Sequence, residues 1–151
     1  MTSVTLVRRI KARPSIVFDA LTTPQGIPLW WGPDDGPVLT AECDAQVGGQ
    51  FRVRFQMLNG VKCEGAEEFL RVLAPVSFRM TWRWTGGMPD TGLSLIEARL
   101  RPIAEGTELT FTHSKLPDDD SARSHEAGWV GSFDKLARHF LTLDSNKGVQ
   151  P

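Results

Sequence analysis

The segment Phe51-Arg52-Val53-Arg54-Phe55-Gln56-Met57 alternates strictly between apolar and polar side chains. A period of two is the pattern of a β-strand with one buried face and one face in water. The dipeptide Asn59-Gly60 follows, which strongly favours a tight hairpin turn. The sequence therefore predicts an antiparallel pair, in which a second strand over residues 61–72 returns beside the first.

Further strands are predicted on both sides of this hairpin. The alternation returns at residues 78–84, where Phe, Met and Trp residues alternate with Arg and Thr. Before the hairpin, a short helix is predicted over residues 15–21 with Pro14 in its first turn, and residues 30–33 (WWGP) leave room for one more helical turn. The fold class is α+β: a curved antiparallel sheet of about six or seven strands, with two short helices after the first strand. Runs rich in β-forming residues predict the other strands at 4–10, 38–43, 93–100 and 107–113.

A long amphipathic helix is predicted at the carboxyl end of the sheet. Residues 118–121 (DDDS) supply a cap and negative charge for the positive end of the helix dipole, and the helix is predicted to run to about Leu143. It is the one predicted element long enough to cover the apolar face of the sheet. We predict a single domain over residues 1–144, followed by a polar tail over residues 145–151. The helix carries one apolar stripe at intervals of three or four residues: His125, Trp129, Phe133, Leu136 and Phe140.

The composition is that of a soluble globular domain. Seventeen basic and eighteen acidic residues give a formal charge of −1 over 151 residues, which argues against a nucleic-acid binder and against a polybasic membrane-surface protein. No signal peptide and no bilayer-spanning apolar run is recognised in the sequence. Cys43 and Cys63 are too few for a disulfide framework. We therefore expect a cytoplasmic protein.

Several segments of the chain resemble those of the START-like (SRPBCC) superfamily, in particular the branch related to the activator of heat-shock protein 90 ATPase. The resemblance implies a helix-grip fold, in which the curved sheet holds the long helix. It also implies a cavity between sheet and helix, because these proteins bind varied small hydrophobic molecules. The segments occur in the family's order over nearly the whole chain: residues 14–21 (PSIVFDAL), 30–33 (WWGP), 44–52 (DAQVGGQFR), 75–84 (PVSFRMTWRW), 106–113 (GTELTFTH) and 125–136 (HEAGWVGSFDKL).

Aromatic residues are the main candidates for the lining of that cavity. The chain has five Trp and eight Phe but no Tyr, and most of them fall on inward strand positions, on the helix stripe or in the WWGP segment. His113 and His125 are predicted to face the same interior and to orient a polar group of a ligand. The alternative is that the indoles are core residues with backbone partners and the histidines are structural. The predicted ligand-binding residues are Trp30, Phe51, Phe55, Met80, Trp82, Phe111, His113, His125, Trp129 and Phe133.

Three functions are compatible with these residues. The first is a protein that holds an apolar or aromatic ligand between the sheet and the helix. The second is a general acid–base enzyme of the dehydratase, cyclase or hydrolase type, in which a histidine acts with an interior carboxylate such as Glu68 or Glu97. The third is a co-chaperone-like protein-interaction module, which would expose an apolar patch on the outer face of the sheet or at the WWGP segment.

The first function is preferred, and an enzyme is the less favoured interpretation. The sequence has no HxxxH, HExxH or GxSxG motif and no phosphate-loop context, so we assign no catalytic residue, no metal and no cofactor. The expected partner is a small hydrophobic or aromatic molecule. A homodimer is compatible with this interpretation, whereas no nucleic acid and no membrane is expected as a partner.

Overall fold

A seven-stranded antiparallel sheet forms the body of the protein. The computed structural model describes the backbone of residues 2–90 and 92–149, and the side chains of these residues up to 141. Every strand predicted from the sequence is present within a few residues of its expected position. The strands are β1 (Thr2–Ile10), β2 (Val38–Cys43), β3 (Gln50–Gln56), β4 (Lys62–Leu73), β5 (Ser77–Gly86), β6 (Ser94–Ile103) and β7 (Gly106–Leu116).

The strands follow the order β1-β7-β6-β5-β4-β3-β2. β2 to β7 form a meander, because short turns link consecutive antiparallel strands. At the β3–β4 turn the Met57 N–H donates to the Val61 carbonyl at 2.9 Å, and Gly60 has a φ of 90°, which suits glycine. The hairpin predicted from Asn59-Gly60 is therefore confirmed. β1 pairs with β7, with Leu6 opposite Phe111, so β1 and β2 form the two edges of the sheet.

Two short helical segments connect β1 to β2. The helix α1 (Pro14–Thr22) begins at a proline, as predicted, and buries Val17, Phe18 and Leu21. The second segment is a single 3₁₀ turn, Ile27–Leu29, rather than an α-helix. The reason is length, because only a few residues separate the end of α1 from the WWGP segment.

The long helix α2 spans Asp119–Val149. The Asp118 carboxylate accepts a hydrogen bond from the backbone N–H of Ser121 at 2.8 Å, so the predicted amino-terminal cap is confirmed. All five residues of the predicted stripe are buried. The helix extends beyond the predicted end near Leu143. Residues 150 and 151 lie outside the described residues, and the polar tail and the domain boundary at 144 stay predictions.

α2 lies against the curved sheet, and the arrangement is the helix-grip fold that the sequence predicted. Aromatic rings fill the central space between helix and sheet. Trp30 stacks on Phe133 with ring centroids 5.5 Å apart and planes 11° apart, and Phe111 lies 4.7 Å from Phe133 and 4.6 Å from Trp129. The centre of the interior is therefore packed core. In the described part of the chain, neither helix has the length and apolar character needed to cross a bilayer.

Candidate functional site

A cavity of about 320 Å³ lies between the amino-terminal half of α2 and the ends of β3 and β5. Its third wall is formed by Trp31, Gly32 and Pro33; we call the segment of residues 30–33 the corner. The six buried lining residues, Trp31, Gly32, Phe55, His125, Trp129 and Ser132, form what we call the floor. The seven half-buried or exposed residues form the mouth: Pro33, Met57, Trp84, Met88, Ser124, Ala127 and Gly128.

The cavity wall is aromatic, and within the described residues it carries no acidic side chain, lysine or arginine. Four of its residues have indole or phenyl rings, and two are methionines, whose flexible thioethers adapt to irregular apolar shapes. A charged ligand would lose its hydration in such a cavity without gaining an ionic partner. The lining therefore favours an uncharged ligand.

The two tryptophan side chains of the corner point in different directions. Trp30 Nε1 donates to the carbonyl of Ala20 in α1 at 2.8 Å, and its ring belongs to the core. Trp31 instead packs with its ring centroid 5.3 Å from those of Trp82 and Trp129, and it lines the cavity. One ring thus ties the corner to α1, and the other forms part of the floor.

α2 holds the corner through two side chains. Ser132 Oγ accepts the Gly32 N–H and donates to the Gly32 carbonyl, both at 3.1 Å. Lys135 Nζ donates to the carbonyls of Trp31 at 2.9 Å and Asp34 at 2.6 Å. These bonds satisfy backbone groups that no strand or helix would pair, and they fix the corner as a wall of the cavity.

The close approach of α2 to the corner predicts opposite effects at two helix glycines. A Cβ at Gly131 would overlap the carbonyl oxygen of Pro33, whereas a Cβ at Gly128 would meet only Pro33 Cβ, at 3.8 Å. Because Ala is favoured over Gly in a helix by about 1 kcal/mol, we expect Gly128→Ala to stabilise the fold by up to that amount. Gly131→Ala should destabilise it by about 1–3 kcal/mol. Urea unfolding measures both, and equal stabilities of the two variants would contradict the close approach.

His113 is fully buried behind the floor and uses both ring nitrogens. Trp129 Nε1 donates to Nδ1 at 3.0 Å, so in the neutral ring the proton resides on Nε2. His113 Nε2 then donates to Ser94 Oγ at 2.7 Å, and Ser94 donates to the carbonyl of Trp82 at 3.3 Å. This series of hydrogen bonds is complete with a single neutral tautomer of His113.

His125 has the same kind of environment. Trp84 Nε1 donates to Nε2 at 2.9 Å, and Nδ1 donates to the Ser121 carbonyl at 2.7 Å. The imidazole rings of His125 and His113 meet edge to face with centroids 4.8 Å apart. We call these two residues the histidine pair. Each member accepts an indole N–H, which occupies the lone pair that a proton or a substrate would need.

The histidine pair is held in the neutral form. Burial, with a smaller contribution from the neighbouring His125, lowers the pKa of His113 from its ordinary 6.5 to about 3. Burial also lowers the pKa of His125, although its bond to the Ser121 carbonyl acts in the opposite direction. Protonating either ring would place an N–H against an indole N–H, which costs a hydrogen bond as well as desolvation.

The carboxylates considered as acid–base partners do not reach the interior. Glu68 is exposed. Glu97 lies on the outer face of the sheet, where it accepts hydrogen bonds from Arg79 at 3.1 Å and Arg99 at 3.3 Å. The expectation of an interior carboxylate at either position is therefore wrong, because the alternation of β4 and β6 turns these side chains outward. No Asp or Glu lines the cavity in the described residues.

The structure distributes the ten predicted ligand-binding residues between the cavity and the core. Three of them line the cavity: Phe55, His125 and Trp129. The remaining seven are at most 4% exposed and pack against one another, because the aromatic rings fill the space expected to be open. These seven are Trp30, Phe51, Met80, Trp82, Phe111, His113 and Phe133.

Several lining residues were not among those predicted. Met57 belongs to the inward set of the alternating segment, so its signal was available in the sequence. Trp84 shares the inward face of β5 with Trp82, but it lies nearer the strand end, where the cavity opens. No sequence pattern identified the other three as lining residues, because their role depends on how the corner packs against α2: Trp31, Gly128 and Ser132.

Comparisons with known proteins agree with this fold. The family model of the activator of Hsp90 ATPase homolog 1-like proteins matches residues 11–140. The solved AHSA1 protein from Silicibacter pomeroyi has a TM-score of 0.83 at 24% identity, over 95% of this chain and 99% of that chain. A protein from Chromobacterium violaceum has a TM-score of 0.81 at 24% identity, over 91% and 96%. DynU16, from the dynemicin biosynthetic locus, has a TM-score of 0.74 at 23% identity and covers 93% of this chain but 47% of its own. No curated protein matches the sequence.

Proposed function

The chain belongs to the family of activator of Hsp90 ATPase homolog 1-like proteins, and from that starting point we propose that it binds a small, uncharged, apolar or aromatic molecule. The ligand would occupy the cavity between α2, the corner and the ends of β3 and β5. The observation that carries this proposal is the cavity itself: about 320 Å³ of space walled by aromatic and thioether side chains. This volume lies at the lower end of the range for small-molecule sites.

The polar atoms of the cavity wall support an uncharged ligand. Both nitrogens of His125 are bonded within the protein, as are the indole N–H groups of Trp84 and Trp129. The Ser132 hydroxyl both donates and accepts. Trp31 Nε1 has no partner among the described residues and can donate to one neutral acceptor of a ligand. Donors or charges that a ligand brought to the floor would stay unpaired, at a cost of about 1–3 kcal/mol for each neutral group.

General acid–base catalysis receives no support from this geometry. The histidine pair is neutral with its lone pairs occupied, and the cavity wall in the described residues has no carboxylate. A protein-interaction module has less support, because both tryptophans of the corner are buried and the outer face of the sheet carries ion pairs such as Arg101–Glu108 at 2.9 Å. Ligand binding is therefore the function that the geometry supports best.

We expect 2-methylnaphthalene to bind and its anionic analogue 2-naphthoate to bind at least about tenfold more weakly, because the carboxylate loses its hydration and meets no cationic side chain in the described part of the cavity wall. Binding is measured by thermal shift and by chemical-shift changes of the indole N–H cross-peaks in ¹H–¹⁵N NMR spectra. The cross-peaks of Trp31, Trp84 and Trp129 should move, since their rings line the cavity. Equal affinity for the two compounds would contradict an uncharged ligand, and no response to any neutral aromatic probe would overturn the proposal.

A variant that fills the cavity separates specific binding from surface adsorption. Gly128 lines the mouth and has room for a Cβ, so we expect Gly128→Leu to fold and to weaken 2-methylnaphthalene binding by at least about tenfold, since it occupies the space. Glu126→Leu is the matched control, because Glu126 is exposed on the same helix and does not line the cavity. This control should bind as the unmodified protein does.

A further inference from the structure

The methionines are distributed unevenly between core and cavity. The chain has four of them, and Met1 lies outside the described residues. Met80 is 2% exposed and belongs to the core. Met57, which follows β3, and Met88, which follows β5, are half-buried and both lie at the mouth of the cavity. Two separate segments of the chain thus bring a half-buried methionine to the same opening.

The other sulfur atoms of the protein are poorly suited to react with peroxide. The thiolate is the reactive form of cysteine. Burial, followed by the charge of Asp44, raises the pKa of the Cys43 thiol to about 12. Burial and the charge of Asp34 also raise the pKa of Cys63, which is 2% exposed. At neutral pH both thiols are protonated, whereas the reactivity of a thioether does not depend on deprotonation.

We propose that Met57 and Met88 form a peroxide-sensitive modification site that controls ligand binding in the cavity. The oxidant is a peroxide, either hydrogen peroxide or an organic hydroperoxide. The thioether sulfur attacks the terminal peroxide oxygen, the O–O bond breaks, and an S–O bond forms. Sulfur gives up two electrons and becomes the sulfoxide. The proton on the transferred oxygen passes to the departing oxygen, which leaves as water or as the corresponding alcohol. A methionine sulfoxide reductase reverses the step with electrons from thiols.

This inference rests on the proposed function, since it concerns the same cavity. A sulfoxide turns a flexible apolar side chain into a polar one. At the mouth the sulfoxide oxygen either faces water and narrows the opening, or faces the cavity and places a polar group against the aromatic wall. In both cases the wall loses apolar contact area with a neutral ligand. We expect the affinity for 2-methylnaphthalene to fall about tenfold when both residues are oxidised.

The experiment treats the full chain with graded hydrogen peroxide, maps each methionine by peptide mass spectrometry, and measures 2-methylnaphthalene binding on the same samples. We expect Met57 and Met88 to oxidise well before Met80, and binding to weaken in step with them. Treatment with methionine sulfoxide reductases and dithiothreitol should restore both the mass and the affinity. The variant Met57→Leu/Met88→Leu conserves volume, and the affinity it has for the probe before treatment should stay the same in peroxide.

The possible results separate this inference from the proposed function. Oxidation of Met80 as early as the mouth methionines, or unchanged binding once both are sulfoxides, would overturn the inference alone. If peroxide weakens binding in the Met57→Leu/Met88→Leu variant as much as in the unmodified protein, the inference also fails, because oxidation elsewhere would then be the cause. If the untreated protein does not bind the probe, the proposed function fails and control by oxidation fails with it.

Discussion

Lowering the pH from 7 to 5 is expected to reduce the free energy of unfolding by about 2 kcal/mol through His113 alone. The ring is fully buried, and its pKa falls from 6.5 to about 3 in the folded protein. His125 adds to the loss, since burial lowers its pKa too. For a single domain this is a large part of the total stability.

The direction of this pH dependence follows from which state, folded or unfolded, binds the proton. In the unfolded chain His113 takes up a proton near pH 6.5, whereas in the folded protein it stays neutral down to about pH 3. Between these values the unfolded state holds more protons, so stability falls as the pH decreases. Above pH 6.5 both states are neutral and the effect vanishes. Near pH 3 the folded ring also binds a proton, and the loss from this residue levels off.

Urea unfolding at several values between pH 5 and pH 8 measures this dependence. His113→Gln removes the titrating group and retains one donor and one acceptor. The stability of this variant should be lower than that of the unmodified protein at pH 7, but it should depend less on pH. His139→Gln is the control, because His139 packs on Phe140 outside the histidine pair. If His113→Gln loses as much stability between pH 7 and pH 5 as the unmodified protein does, the buried neutral histidine is not the cause.

The sequence predicted the faces of strands and helices well, because periodicity depends on local geometry alone. The alternation in β7 directed His113 inward, and the α2 stripe directed His125 inward from the other side. Their rings do meet, with centroids 4.8 Å apart. Periodicity also identified the buried face of β5, where Phe78, Met80 and Trp82 are at most 4% exposed.

Periodicity could not show which inward residues border open space. Trp82 and Trp84 share one face of β5, but only Trp84 lines the cavity. The difference depends on position along the strand relative to the corner, which is a contact between distant parts of the chain. Trp30 and Trp31 are adjacent in sequence, and their separate roles follow from the backbone of the corner and from its bonds to Ser132 and Lys135.

The local sequence also could not predict the hydrogen bonds of the histidine pair. Each imidazole ring accepts a hydrogen bond from an indole on a different element. Trp84 on β5, for example, donates to His125 on α2. The expectation that these histidines orient a ligand considered only the residues on their own strand or helix. Once both indole donors are placed, the same residues are explained as a buried structural network.

Replacing Gly65 by Ala is expected to destabilise the fold by about 3 kcal/mol. Gly65 is buried in β4, and a Cβ there would overlap Cζ2 and Cη2 of the Trp82 indole. Trp82 is 1% exposed and is enclosed by Trp31 and Phe51, with centroids 5.3 Å and 6.0 Å away, so the ring has little room to move. The cost is therefore steric, and it depends on the size of the side chain at position 82.

A double-mutant cycle with Trp82→Phe tests this cause. A phenyl ring is shorter and vacates the positions of Cζ2 and Cη2, and it also removes an indole N–H that is buried without a partner among the described residues. Trp82→Phe alone should cost stability through lost packing. The variant that combines it with Gly65→Ala should be more stable than the sum of the two single losses by at least about 1 kcal/mol, as measured by urea unfolding. Strictly additive losses would contradict the steric cause, because the cost of a clash with the ring must depend on the side chain at position 82.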